Sequence, residues 1–167
     1  APATPMSDAV LALDLGTGRI VWSKQTTPGD VWNTLCNSRG ECPGPDHDYG
    51  SSVILEKLDN GRDVLLSGQK SGVVYALDPD RKGSILWQVR VGQGGTAGGV
   101  QWGMATDGRN VYVSVSVVVR LRNVTGAAPV GDADLDPVQG GGLTALRLTD
   151  GARVWFAPGV PCAPPRP

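Results

Sequence analysis

The stretch Ala12-Leu13-Asp14-Leu15-Gly16-Thr17-Gly18-Arg19-Ile20-Val21-Trp22 decides the fold, because the chain repeats it. Ala76-Leu77-Asp78 followed by Ser84-Ile85-Leu86-Trp87 is a second copy. Ala145-Leu146-Arg147-Leu148-Thr149-Asp150-Gly151-Ala152-Arg153-Val154-Trp155 is a third. The three alanines stand 64 and 69 residues apart. A period of that length, with a fixed turn and a fixed tryptophan, marks one supersecondary unit copied along an array. Within each copy an alternating apolar run meets a glycine-bearing turn and then resumes, which is the pattern of a hairpin.

Working outward, the second hairpin covers 72–78 with 84–91, and the third 142–148 with 153–156. Two further strands precede the second hairpin, 52–57 and 63–67, joined by Asp59-Asn60-Gly61. Before the third come 101–105 and 110–119, joined by Thr106-Asp107-Gly108. Four antiparallel strands per repeat is the grammar of a β-propeller blade. The expected fold is therefore all-β, a partial propeller with a half blade at 8–25 and whole blades at 50–92 and 100–158. A ring needs about four to eight blades, so the chain is expected to be a section of a longer propeller. The loops at 26–50 and 120–140 interrupt the blades, and loops of that length are often functional.

Composition agrees. Among 167 residues, 24 glycines and 13 prolines favour short strands and turns over helices. A formal net charge of −1 without a basic run speaks against nucleic acid as a partner. No apolar stretch approaches the roughly 20 residues of a membrane span. The first residues, Ala1-Pro2-Ala3-Thr4-Pro5, carry no leader pattern. Cys36 and Cys42 are close enough to close a small loop and leave Cys162 over. That favours an oxidising compartment, with three free thiols as the alternative.

The phrase Ala-x-Asp, turn, Thr-Gly, Trp resembles the tryptophan-docking repeat of quinoprotein alcohol dehydrogenases, eight-bladed propellers that use pyrroloquinoline quinone (PQQ). The resemblance implies about two and a half of those eight blades here. It also implies that Trp22, Trp87 and Trp155 pack between neighbouring blades as structural residues. Arg147 departs from the pattern at the aspartate position, so the third turn is expected to be held differently. Thr27-Pro28-Gly29-Asp30-Val31-Trp32-Asn33 is similar to the segment that precedes the family's catalytic aspartate. Gly68-Gln69-Lys70-Ser71-Gly72-Val73-Val74-Tyr75 is similar to the segment whose Lys or Arg contacts the quinone carbonyls. Gly98-Gly99-Val100-Gln101-Trp102-Gly103-Met104-Ala105 looks like the start of the next blade, where the family places a further cofactor contact. Gly44-Pro45-Asp46-His47-Asp48-Tyr49-Gly50 resembles polyvinyl alcohol dehydrogenases most closely.

The resemblance implies hydride transfer from an alcohol to PQQ, a carboxylate base, a cation on the quinone oxygens and a Ca²⁺ ion acting as a Lewis acid. Asp46 is the candidate base, with Asp48 as the alternative base or a metal ligand. The family's aspartate follows the tryptophan directly, where this chain has Asn33. Both aspartates capping a turn is the structural alternative. Lys70 is the candidate cation on the quinone, with Gln101 and Trp102 as weaker candidates to line the cofactor pocket. Trp102 could equally be blade core. His47 is assigned no role. The family's other Ca²⁺ ligands lie on blades outside this chain. The implied partners are an alcohol or polymer alcohol, a cytochrome c-type electron acceptor and the rest of the propeller, in the periplasm. This section alone is expected to be inactive. The alternative is a non-catalytic propeller of the outer-membrane assembly lipoprotein type, which shares the tryptophan repeat.

Overall fold

The computed structural model describes residues 4–33, 43–95, 98–119, 134–135 and 141–159. Most of the expected strands form. Strands β1 (Ala9–Leu13) and β2 (Ile20–Gln25) make an antiparallel hairpin. Strands β3 (Ile54–Lys57), β4 (Asp63–Gly68), β5 (Val73–Asp78) and β6 (Ser84–Arg90) form a four-stranded meander in chain order. A second four-stranded sheet holds β7 (Ala105–Thr106), β8 (Asn110–Val115), β11 (Gly142–Arg147) and β12 (Arg153–Pro158), again in chain order. Between its second and third strands, β9 (Val118–Val119) pairs with β10 (Asp134–Leu135). The architecture is a partial β-propeller of four-stranded antiparallel blades. Among the described residues the one helical element is a 3₁₀ turn, Pro79–Arg81, and no helix is long and apolar enough to cross a membrane.

Two expected strands are corrected. The segment foreseen at 101–105 is a strand over Ala105–Thr106 alone. Upstream, the backbone of Gln101 lies against Gly50, too close for a Cβ there, so the chain bends along the neighbouring blade instead of extending. The strand foreseen at 110–119 stops at Val115. Ser116 then bridges back to Gly99, and Val118–Val119 leaves the sheet to pair with Asp134–Leu135 inside the expected 120–140 loop. Cys36, Cys42 and Cys162 lie outside the described residues.

The repeated phrase produces one local structure three times. Ala12 opposes Trp22, Ala76 opposes Trp87 and Ala145 opposes Trp155, and the register slips by a bulge just after each alanine. The turn glycine has φ near +71° in all three copies (Gly18, Gly83, Gly151), a region L side chains avoid. A Cβ on Gly83 would stand 2.8 Å from the Trp22 ring, and one on Gly151 would stand 2.8 Å from the Trp87 ring. Each of these tryptophans therefore lies on the turn of the following blade. Trp87 adds a hydrogen bond, donating Nε1–H to the Leu148 carbonyl at 2.8 Å.

The core follows from strand alternation. On β5, Val73, Tyr75 and Leu77 face the β1–β2 hairpin, meeting Val10 and Trp22. Val74 and Ala76 face the other way. With Val64 and Leu66 they meet Val111, Val113, Leu146 and Leu148 of the next blade. All six residues of β5 are buried, which is why Val73-Val74-Tyr75-Ala76-Leu77 reads as a continuous apolar run. Each fully buried Val or Leu contributes about 1.5–3 kcal/mol.

Candidate functional site

The chemistry collects at the end of the central blade where β4 turns into β5. Gln69 N donates to Val73 O at 3.0 Å, and Gly72 N to Gln69 O at 2.9 Å, closing a tight turn with Lys70 at its tip. The Lys70 backbone is gripped on both sides. Its N–H donates to Asp48 O, and its carbonyl accepts from Gly95 N, both at 3.0 Å. Its ammonium is largely buried and lies 3.2 Å from Asp46 Oδ2 and 2.6 Å from Asp48 Oδ2. The three residues singled out in the sequence as base, second carboxylate and cation thus meet at one point.

The two carboxylates are not equivalent. Asp46 is 4% exposed, whereas the Asp48 side chain is 51% exposed. They do not reach one face through strand alternation, because β3 begins only at Ile54. Asp46 instead turns the chain with φ +61°. Burial raises the Asp46 pKa, and the hydrogen bond from Lys70 only partly offsets it. For Asp48, burial is outweighed by hydrogen bonds from Lys70 and Asp8, and its pKa falls. Burial works against the Lys70 ammonium too, yet its bonds to Asp48 and Asp46 hold its pKa above the usual lysine value.

A third carboxylate completes the group, and sequence reasoning missed it. Asp8, just ahead of β1, hydrogen-bonds Asp48, and its pKa is pushed up to about 7 by burial, by that hydrogen bond and by the charges of Asp30, Asp48 and Asp46. Its turn is pinned by Ser7 N donating to Thr4 O and by Gln25 Nε2 donating to the carbonyls of Thr4 and Ser7. Asp8 and Asp48 are 40 positions apart, so no local spacing announces their meeting.

Asp30, noted only as part of a motif, is the anchor of the loop. It is buried, and its carboxylate accepts from Trp32 N at 3.2 Å and His47 N at 2.9 Å. Val31 N donates to Pro43 O. Gly44, with φ +118°, lets this approach happen, since a Cβ there would overlap Asp30. The Thr27–Trp32 segment is thereby fastened beside Asp46. His47 flanks the carboxylates with its pKa lowered, first by burial.

Below Lys70 lies a buried polar network, also unforeseen. Gln69 is fully buried and donates Nε2–H to Thr26 Oγ1 and Thr27 Oγ1, both at 3.0 Å. Its Oε1 accepts from Ser71 Oγ at 2.7 Å and Tyr75 OH at 3.4 Å. Thr26 Oγ1 and Tyr49 OH share a 2.6 Å hydrogen bond, and burial raises the Tyr49 pKa. A satisfied network of this kind fixes the turn under Lys70.

Of the remaining candidates, Gln101 is half-buried against Gly50, beside the Asp48 segment. Trp102 is 67% exposed, which removes it from the blade core. Trp155 is 41% exposed and rests on Tyr112, with ring centroids 5.9 Å apart. Among the described residues, no three His, Cys, Asp or Glu side chains converge as a metal site.

Fold and mouth together define a tryptophan-docked β-propeller section with a lysine–carboxylate cluster at one end. Among solved structures, BamB from Moraxella catarrhalis shares the fold, with a TM-score of 0.53 at 16% identity over 92% of this chain and 36% of that one. Among proteins known by sequence, the chain is 42% identical over 161 residues to a polyvinylalcohol dehydrogenase from Pseudomonas sp. and 39% identical over 117 residues to one from Sphingopyxis sp. (strain 113P3). These matches cover 93% and 66% of this chain but only 23% and 18% of those relatives. No family model matches the chain. The likeness to polyvinyl alcohol dehydrogenases extends along nearly the whole sequence.

Proposed function

We propose that this chain supplies part of the catalytic mouth of a PQQ-dependent alcohol dehydrogenase acting on a polyvinyl alcohol-like polymer. The observation that carries this reading is the Lys70 ammonium held between Asp46 and Asp48. The residues fit the quinone. An ammonium has three donors, the two carboxylates use two, and one is left for a quinone oxygen. When bound, the quinone supplies the two-electron acceptor for the alcohol's hydride. Asp46, buried and with a raised pKa, is the group assigned to take the hydroxyl proton. Asp48 remains ionised and clamps Lys70, and the Gln69 network keeps both from drifting. Calcium does not fit these residues. The Lys70 ammonium occupies the gap between the two carboxylates that a cation would share, so Asp48 is assigned to Lys70 and no step is given to a metal here. The periplasmic location and the cytochrome acceptor belong to the same proposal.

The test uses the full-length protein reconstituted with PQQ and Ca²⁺, with dye-linked oxidation of polyvinyl alcohol as the readout. Lys70→Ala should lower kcat/KM by roughly 10²–10³, the scale for losing one preorganised donor to developing negative charge. Asp46→Asn should lower it by about 10²–10⁴. Activity should fall on the acid side, with a midpoint above the ordinary carboxylate range, because the base must be unprotonated. Unchanged activity in both variants would overturn the proposal in favour of a scaffold.

A further inference from the structure

Between the two whole blades, at the same end as Lys70, lies an open cleft of about 480 Å³. Its walls are apolar, formed by Val91, Val115, Val117 and Phe156, and its rim carries Arg90 and Arg153. The volume is in the range of small-molecule sites, ~300–1,000 Å³. The cleft adjoins the cluster already described. The Arg90 guanidinium donates to the Ser71 carbonyl, one residue from Lys70, and its charge is felt at His47, between Asp46 and Asp48.

Two of the residues that line this cleft are departures from the repeat. Aligned on the tryptophan, Arg153 stands where the other copies have Ile20 and Ile85. Phe156 stands where they have Ser23 and Gln88. In register, Phe156 opposes Thr144, so its ring lies on the face toward the central blade. Yet it is 47% exposed, because the cleft leaves it open. The Arg153 guanidinium lies 5.9 Å from the centre of that ring. Two positions on this strand thus carry a cation and an aromatic ring where the other copies carry an isoleucine and a polar residue, and both line the cleft.

We infer that this interblade cleft is a polymer subsite, holding a run of an alternating methylene and hydroxymethine chain while a neighbouring hydroxyl lies at Asp46. The inference rests on the proposed dehydrogenase reading. An apolar floor suits the methylenes. Guanidinium donors on the rim suit the hydroxyl oxygens, which accept at regular intervals along such a chain. A short alcohol has no second segment to seat in the cleft, so the subsite would select for polymer.

The test installs the blade-two residues, Arg153→Ile with Phe156→Gln, which this fold already accommodates at Ile85 and Gln88. Two readouts are needed on the PQQ-loaded full-length protein: kcat/KM for polyvinyl alcohol against a short secondary diol, and equilibrium binding of fluorescently labelled polyvinyl alcohol. The expected result is a roughly tenfold loss of kcat/KM on the polymer, with a matching loss of binding and an unchanged diol rate, the scale of a few lost apolar contacts. Equal losses on both substrates, or none on either, would overturn the subsite, as would a wild type that does not bind polymer. A wild type that binds polymer through these residues but oxidises neither substrate would sink the dehydrogenase reading and leave the subsite standing.

Discussion

The central blade and the one that follows share a ladder, a bulge and a turn, yet their environments differ. In the central blade every residue of β5 is buried, whereas in its counterpart β11 only Thr144, Ala145 and Leu146 are. Trp87 rests on Gly151 and bonds Leu148, whereas Trp155 has Tyr112 of its own blade for company. The mouths contrast as well. Lys70 N donates to Asp48 O, and at the equivalent place Ser116 N donates to Gly99 O. One backbone device thus carries an ion cluster in one blade and a neutral pair in the other. The repeat specifies the blade, the neighbour decides what is buried, and the residues that differ between blades decide which end carries charge.

Paired substitutions at equivalent positions test this. The largest difference is expected for the tryptophans. Trp87→Ala should destabilise by about 3–5 kcal/mol, the scale for deleting a large aromatic from a packed interface. In this section of the propeller taken by itself, Trp155→Ala should lose about 0.5–1.5 kcal/mol, the worth of an aromatic pair. Denaturant titration of the two variants measures both, and equal losses would break the contrast. Next come the turn glycines. Gly18→Ala meets no neighbour and costs about 1–2 kcal/mol for its left-handed backbone. Gly151→Ala pays the same and also presses on the Trp87 ring, adding ~1–3 kcal/mol of overpacking.

The blade framework was legible because its signals are local. Alternation, turn glycines and a recurring tryptophan sit within a dozen residues of one another. The Asp46–Lys70 meeting was legible only through the order of motifs, since 24 residues and two strands separate them. Asp8 was invisible because its role comes from packing of the first hairpin on the central blade, which brings it to Asp48. The short β7 was missed because Gln101 alternates like a strand residue while its backbone is committed to Gly50. Phe156 and Arg153 were in plain view, but read as the outer strand of a hairpin. Their meaning appears only when the neighbouring blade supplies the opposite wall.

A smaller effect concerns charge at the central mouth. The Asp8 pKa, about 7 against an ordinary 3.8, means that the folded protein holds this proton more tightly than the unfolded chain between those values. Stability from this group therefore declines as pH rises from about 4 to about 7. Asp8→Asn should flatten that decline, with Asp30, Asp46, Asp48 and Lys70 left in place. Thermal melts of both proteins across this window give the comparison, and parallel curves would show that Asp8 titrates normally.

The smallest difference is expected at the third-copy departure. Asp78 is buried, and its carboxylate accepts from Asp80 N at 3.0 Å, Arg81 N at 3.2 Å and Arg62 at 2.8 Å. Asp78→Ala should cost about 0.5–2 kcal/mol, as for a lost helix cap. At the matching place Arg147 instead pairs with Asp150 at 2.7 Å, both half exposed to solvent. The backbone bonds of that turn, Gly151 N to Arg147 O and Arg147 N to Ala152 O, survive any side chain at 147. Arg147→Ala should therefore leave the melting midpoint within the scatter of the wild type, since water screens an exposed pair. A loss equal to that of Asp78→Ala would mean that the ion pair has taken over the turn-holding work of the aspartate.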